Sequence, residues 1–207
     1  MTKKIIVGIS GASGAIYGAR LLQVLQHVPG IQTHLVMSHA ARRTLVLETD
    51  FCVRDVENCA DVTHKIGDIG ASISSGSFRS HAMIVAPCSI KTASGIASSY
   101  SENLLLRAAD VILKERRRLV LLLRETPLHL GHLRILTQLA ETGAVVMPAT
   151  PAFYHHPVGL NDIIDQMVNR VLDLADIELE EDLFPRWSGA GEEKRSPSSK
   201  IRLADGI

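Results

Sequence analysis

Four short stretches of this chain set hydroxyls, charges and small residues where an anion is to be held. The first is Gly8-Ile9-Ser10-Gly11-Ala12-Ser13-Gly14, lying between an apolar run and a helical pattern. Small residues let backbone N–H groups crowd around an anion, and the positive end of the following helix adds to the attraction. Ser38 follows a second apolar run, and Cys88-Ser89-Ile90-Lys91-Thr92 a third. Arg124-Glu125 follows a fourth, pairing a cation for a phosphate with a carboxylate able to take or give a proton.

These stretches need elements that carry them to one place. Residues 3–9, 33–37, 82–86, 119–123 and 145–147 are continuous apolar runs, the pattern of strands buried on both faces. Helical spacing fills 14–27, a segment after Ser38 through Glu48, a small-residue segment after Thr92, and 104–116, 128–141 and 160–174. Asn103 is an N-cap for one of these helices, and Pro29-Gly30 and Gly143 mark two ends. Residues 50–70 are irregular, with one short helical piece at 55–60. Five alternations of strand and helix call for an α/β fold, a Rossmann-like or flavodoxin-like three-layer sandwich around a mostly parallel sheet. Ligands of such sheets bind beyond the carboxyl ends of the strands, where the four stretches and a fifth, 148–154, meet. One domain is expected over 1–187. The stretch 188–207, rich in Gly, Ser, Pro, Lys and Glu, is expected to be a flexible tail.

The glycine spacing is G-x-x-G-x-x-G, with Ser10 where a dinucleotide fingerprint has its second glycine. That fingerprint also wants an acid about 20 residues further on for the ribose, and the second run ends in Ser38 instead. A monophosphate such as FMN suits hydroxyls and amides better. A tight strand–helix turn would account for the glycines alone, but not for five polar strand ends. A second anion subsite is suggested by Arg107 and Lys114, seven residues apart and so on one helix face, with Arg124, Arg170 and the Tyr154 phenol as further members. Arg116-Arg117-Arg118 reads as a solvated face.

Other chemistries fit poorly. His129, His132, His155 and His156 lack an acidic partner at ligand spacing, so no metal is expected. No G-x-S-x-G elbow is present for a hydrolase. Cys88 reads as a packing residue rather than a reactive thiol, and three cysteines without metal spacing suit a reducing cytoplasm. Lys plus Arg and Asp plus Glu balance at 22 each, which gives no basic field for nucleic acid. No apolar run approaches the ~18 residues of a membrane span, and the start of the chain does not read as a signal peptide.

Taken together, several motifs resemble one family. Gly8–Gly14, Ser74-Ser75-Gly76-Ser77, Pro87-Cys88-Ser89, Arg107-Ala108-Ala109-Asp110, Leu113-Lys114-Glu115-Arg116, Arg124-Glu125-Thr126-Pro127, Pro151-Ala152-Phe153-Tyr154 and Pro185-Arg186-Trp187 stand in the order of the UbiX-type flavin prenyltransferases. Residues 73–78 and 89–92 are most similar to the UbiX-type proteins of hydroxyarylic acid decarboxylase operons. The resemblance implies transfer of a dimethylallyl group from dimethylallyl monophosphate to N5, then C6, of reduced FMN, with the prenylated FMN passed to a UbiD-type decarboxylase. It implies that Gly11, Ala12, Ser13, Ser38, Ser89, Ile90, Lys91, Thr92 and Arg124 hold FMN. It further implies that Arg107, Lys114, Glu125, Tyr154 and Arg170 surround the prenyl phosphate, some across subunits of a homododecamer, without a metal. Glu125 is the candidate for proton handling; aiming Arg124 through an ion pair is its other reading. A non-catalytic FMN carrier of an aromatic acid decarboxylase is the alternative function. Gly131-His132-Leu133-Arg134-Ile135 departs from the Ile-His-Leu-Glu-Asn common in the family.

Overall fold

The computed structural model describes residues 2–189. The six strands are β1 (Lys3–Ile9), β2 (Ile31–Met37), β3 (Val62–His64), β4 (Ala82–Cys88), β5 (Arg118–Leu123) and β6 (Val145–Pro148). The seven helices are α1 (Ala15–Leu25), α2 (His39–Glu48), α3 (Val53–Asn58), α4 (Ile90–Ala97), α5 (Leu104–Lys114), α6 (Leu130–Glu141) and α7 (Leu160–Leu174). All strand pairs are parallel, in the order β3-β2-β1-β4-β5-β6. The expected α/β sandwich is therefore present, with one strand more than the five apolar runs implied. β3 is the addition. It is three residues long, lies at the sheet edge beside β2 and carries two polar side chains, so no apolar run announces it.

Alternate residues of every strand but β3 feed two cores, as the pleat requires. Ile5, Val7, Ile9, Leu35, Met37, Ile84, Val120 and Leu122 pack against α1, α2, α3 and α7. Ile6, Val36, Met83, Val85, Leu119, Leu121 and Leu123 pack against α4, α5 and α6. Because successive side chains of one strand serve both cores, each run is apolar throughout rather than alternating. The chain order reverses direction between β1 and β4, which leaves a crevice at the carboxyl ends of those neighbours. Of the stretch expected to form a tail, residues 190–207 lie outside the described residues.

Candidate active site

A cleft of about 810 Å³ opens at that crevice. Its lining includes Gly11, Ala12, Ser13, Ser38, Ser89, Ile90, Lys91, Thr92 and Arg124, which are all nine residues assigned to flavin contacts, and also Glu125. Ile66 and Leu106 join Ile90 in adding apolar surface, and His39, Ala40, Gly67, Glu102 and Asn103 complete the wall. A larger depression of about 900 Å³ lies between α1 and residues 178–183 and holds none of these side chains. We place the chemistry in the smaller cleft because the strand ends and helix N-termini converge there.

Each wall residue is fixed by a local rule. Ser38 caps α2, its hydroxyl accepting the Ala41 N–H at 3.0 Å. Ser89 caps α4, accepting the Thr92 N–H at 3.3 Å and donating to Thr92 Oγ1 at 3.1 Å. Asn103 caps α5 through the Leu106 N–H at 3.1 Å. Three helix N-termini thus face one cleft, each favouring an anion by ~0.3–1 kcal/mol. Gly11 is required for space, since a Cβ there would overlap the Ala40 side chain at the start of α2. Ser10 turns away from the cleft. Fully buried, it donates to the Pro87 carbonyl at 2.9 Å and accepts the Ser89 N–H at 2.8 Å. Its hydroxyl ties the loop after β1 to the turn after β4.

Two residues missed by sequence reasoning stand beside these. Glu48, in the last turn of α2, accepts the Gly14 N–H at 2.7 Å and the Ala15 N–H at 3.4 Å, placing a carboxylate on the N-terminus of α1. An acid at the negative end of its own helix is electrostatically out of place, and that misfit is the signal that could have drawn notice. Tyr17 stands over Gly14, its phenol pKa raised by burial and drawn back by nearby Arg124.

The remaining assigned residues do not line the cleft of their own chain. Arg107 and Lys114 lie on α5; Arg107 bonds the Ser74 carbonyl at 3.2 Å and Asp110 at 3.0 Å, and Lys114 pairs with Glu115 at 2.6 Å. Arg170 lies on α7, which packs on the opposite face of the sheet from α5, and Tyr154 lies in the segment between β6 and α7. Tyr154 lies 5.5 Å from the Trp187 ring, and Arg170 pairs with Asp173 at 2.6 Å. Residues 148–154 therefore add nothing to the cleft wall, contrary to the expected convergence of all five strand ends. Glu125 accepts the Thr126 N–H at 3.1 Å. No Arg124–Glu125 ion pair occurs among the described residues, so Glu125 does not aim its neighbour. Arg117 corrects the reading of 116–118 as a solvated face, because it turns inward against the serine loop. The departing segment Gly131–Ile135 forms the first turns of α6, outside the cleft.

Cys88 is fully buried, and burial pushes its thiol up to about 12, so it packs and does not react. Among the described residues no group of three or more His, Cys, Asp or Glu is placed to hold a metal. Nor is any described helix long and apolar enough to cross a membrane.

The cleft thus offers apolar walls, free hydroxyls and helix N-termini, a donor set for a flat aromatic group bearing a phosphate. Comparison with known proteins agrees. The Flavoprotein family matches residues 1–173. The flavin prenyltransferase UbiX of Escherichia coli K12 is 68% identical over 188 residues, covering 91% of this chain and 100% of that protein. The crystal structure of AnUbiX in complex with FMN and dimethylallyl pyrophosphate superposes with a TM-score of 0.87 at 46% identity, covering 91% of this chain and 99% of that one. A dodecameric FMN-dependent UbiX-like decarboxylase from Escherichia coli O157:H7 gives 0.87 at 48% identity, covering 90% and 100%. By sequence and fold alike, the chain belongs to the UbiX family of flavin prenyltransferases.

Proposed function

We propose that this chain transfers the dimethylallyl group of dimethylallyl monophosphate to N5 and C6 of reduced FMN. The observation that carries the reading is the cleft itself, which gathers every residue assigned to FMN on one wall system. Reduced FMN, when bound, supplies the nucleophilic nitrogen and carbon that the prenyl group joins. Ser38, Ser89 and Thr92, at the N-termini of α2 and α4, hold its phosphate, while Ile66, Ile90 and Leu106 cover its ring system.

The donor's departing phosphate gains negative charge as its C–O bond breaks. Arg107, Lys114 and Arg170 stabilise that charge, and the Tyr154 hydroxyl donates to a phosphate oxygen. Arg107 and Lys114 lie on α5 and Arg170 on α7, on opposite faces of the sheet, and neither these three nor Tyr154 line the cleft of their own chain. Neighbouring copies complete the donor site, and we read the assembly as a homododecamer like that structural neighbour. Glu125, at the cleft wall, gives a proton to the prenyl double bond as the second bond closes and takes back on its carboxylate the proton displaced from C6. Holding the two reactants in register can supply ~7–11 kcal/mol of the barrier. Residues 1–187 act as one flavin-binding domain, in the cytoplasm, and prenylated FMN passes to a separate UbiD-type decarboxylase.

The test is anaerobic incubation with reduced FMN and dimethylallyl monophosphate, followed by mass analysis of the flavin. A flavin heavier by one prenyl unit is expected. An unchanged flavin, bound by a folded protein, would leave only an FMN carrier. A parallel arm with the pyrophosphate reads whether the donor site takes the longer leaving group.

A further inference from the structure

Of three consecutive arginines, Arg116 and Arg118 are exposed, whereas the Arg117 side chain is only 18% accessible. α5 ends just before them, and Arg116 takes a left-handed conformation with φ of 54°. The Arg117 N–H then closes on the Ile112 carbonyl at 2.9 Å. This turn carries the Arg117 guanidinium under the polar loop that leads into β4. Nη1 donates to the Phe78 carbonyl at 2.6 Å and to Ser80 Oγ at 3.3 Å, and Nη2 donates to the Gly76 carbonyl at 2.8 Å. Nη2 also lies 3.7 Å from Glu115, whose other oxygen accepts Lys114 Nζ at 2.6 Å. The same loop supplies the Ser74 carbonyl to Arg107. It passes so close to the end of α5 that a Cβ on Gly76 would overlap Glu115 and stand 2.8 Å from Lys114 Nζ.

We propose that Arg117 is a positioning residue for the prenyl donor: its guanidinium clamps the 72–80 loop against the end of α5, and so presets Arg107 and Lys114 for the donor phosphate. The inference rests on the reading of those two cations as donor anchors. Arg117 itself is turned toward loop carbonyls and acts through the other two. A fork of planar donors spans the Gly76 and Phe78 carbonyls together; an ammonium reaches one of them at a time. A clamped loop removes the freedom that Arg107 and Lys114 would otherwise lose on meeting the phosphate, and such preorganisation appears as affinity.

The experiment measures steady-state prenylation of reduced FMN by the assembled full-length enzyme, with dimethylallyl monophosphate varied and FMN affinity read separately. Arg117→Gln is expected to raise donor KM about tenfold, with kcat changed by less than about threefold and FMN affinity unchanged. Arg117→Lys restores at most part of that loss, because its charge is kept but the fork is not. Gly76→Ala displaces the flexible ends of Glu115 and Lys114 with Arg117 intact, and is expected to raise donor KM in the same way; it decides the matter if Arg117→Gln does not fold. Arg107→Ala and Lys114→Ala serve as controls. Unchanged donor KM in both controls overturns the underlying reading of the donor site. Raised KM in the controls with normal KM in Arg117→Gln and Gly76→Ala overturns the positioning role alone. Equal losses in FMN affinity, kcat and donor KM would also overturn it, since they mark a purely structural residue.

Discussion

Ser10 offers the sharpest test of how the cleft is built. Ser10→Ala removes one hydroxyl from a site with no solvent access. The Pro87 carbonyl keeps the Ser10 backbone N–H at 3.2 Å as a donor, so it is weakened rather than abandoned. The Ser89 N–H, which donates to Ser10 Oγ at 2.8 Å, loses its partner. An orphaned buried donor costs ~1–3 kcal/mol and a lost neutral hydrogen bond ~0.5–1.5 kcal/mol, so the sum is about 1.5–4.5 kcal/mol. For a chain of this size, at about 2–4 °C per kcal/mol, that corresponds to a fall in melting temperature of about 3–18 °C. Both the loop after β1 and the Ser89 turn line the cleft, so FMN affinity is expected to fall about tenfold as they separate. Urea unfolding at fixed protein concentration gives the first quantity, and quenching of FMN fluorescence the second. Ser10→Gly would bring the loop closer to the dinucleotide spacing, yet it loses the same hydroxyl, so it gains no dinucleotide affinity. A Ser10→Ala protein within about 0.5 kcal/mol of wild type and with normal FMN binding would refute the tie between the two loops.

Three further outcomes follow from the geometry. A Glu125→Gln protein is expected to bind FMN normally and to turn over about 10²–10⁴-fold more slowly, and full turnover would remove Glu125 from proton transfer. Iodoacetamide applied to the native protein is expected to modify exposed Cys52 and spare Cys88, whose thiol burial holds near 12; peptide mass mapping reads the difference. His34 lies 3.0 Å from His64, edge-on to Phe78, and its pKa is pushed down to about 4 by burial, then by His64 and Lys4, against Asp61. The unfolded chain, with a histidine pKa near ~6.5, binds more protons between those two values, so this contribution is complete above about pH 6.5 and fades as pH falls toward 4. A shift of that size allows about 2–3 kcal/mol, so His34→Gln is expected to flatten the pH dependence of urea unfolding by that amount between pH 7 and 4. An identical pH slope in the variant would show that the histidine pair carries no linkage.

The parts of the molecule legible in the sequence are those set by short-range rules. β1, β2, β4, β5 and β6 each face two cores, so the buried part of each carries an apolar run that stands out from its surroundings. Ser38, Ser89 and Asn103 cap helices that begin at the next residue, and a cap is a relation between neighbours three residues apart. Because the strand ends of such a sheet share one edge, the polar residues that follow the apolar runs mark the cleft. β3 has no such run for a matching reason: three half-exposed edge residues need not be apolar to pair with β2.

What escaped the sequence depends on the reach of long side chains. Glu48 meets Gly14 across 34 positions, and Arg117 meets Phe78 across 39; nothing near either residue fixes where its side chain ends. Three arginines in a row have the composition of a solvated face, and two of them are one. The third is turned inward by the left-handed Arg116 and by carbonyls that lack strand partners. A loop carbonyl outside the sheet leaves no trace in residue types, so its bond to a distant donor becomes visible only when the loop is seen against the helix. Charge at a helix end is the nearest thing to a warning. Glu48 sits at the end of α2 that repels it, and the side chain is satisfied only by a second helix, whose N-terminus it neutralises. With the N-terminus of α1 met by the protein's own carboxylate, those of α2, α4 and α5 remain to favour an anion in the cleft.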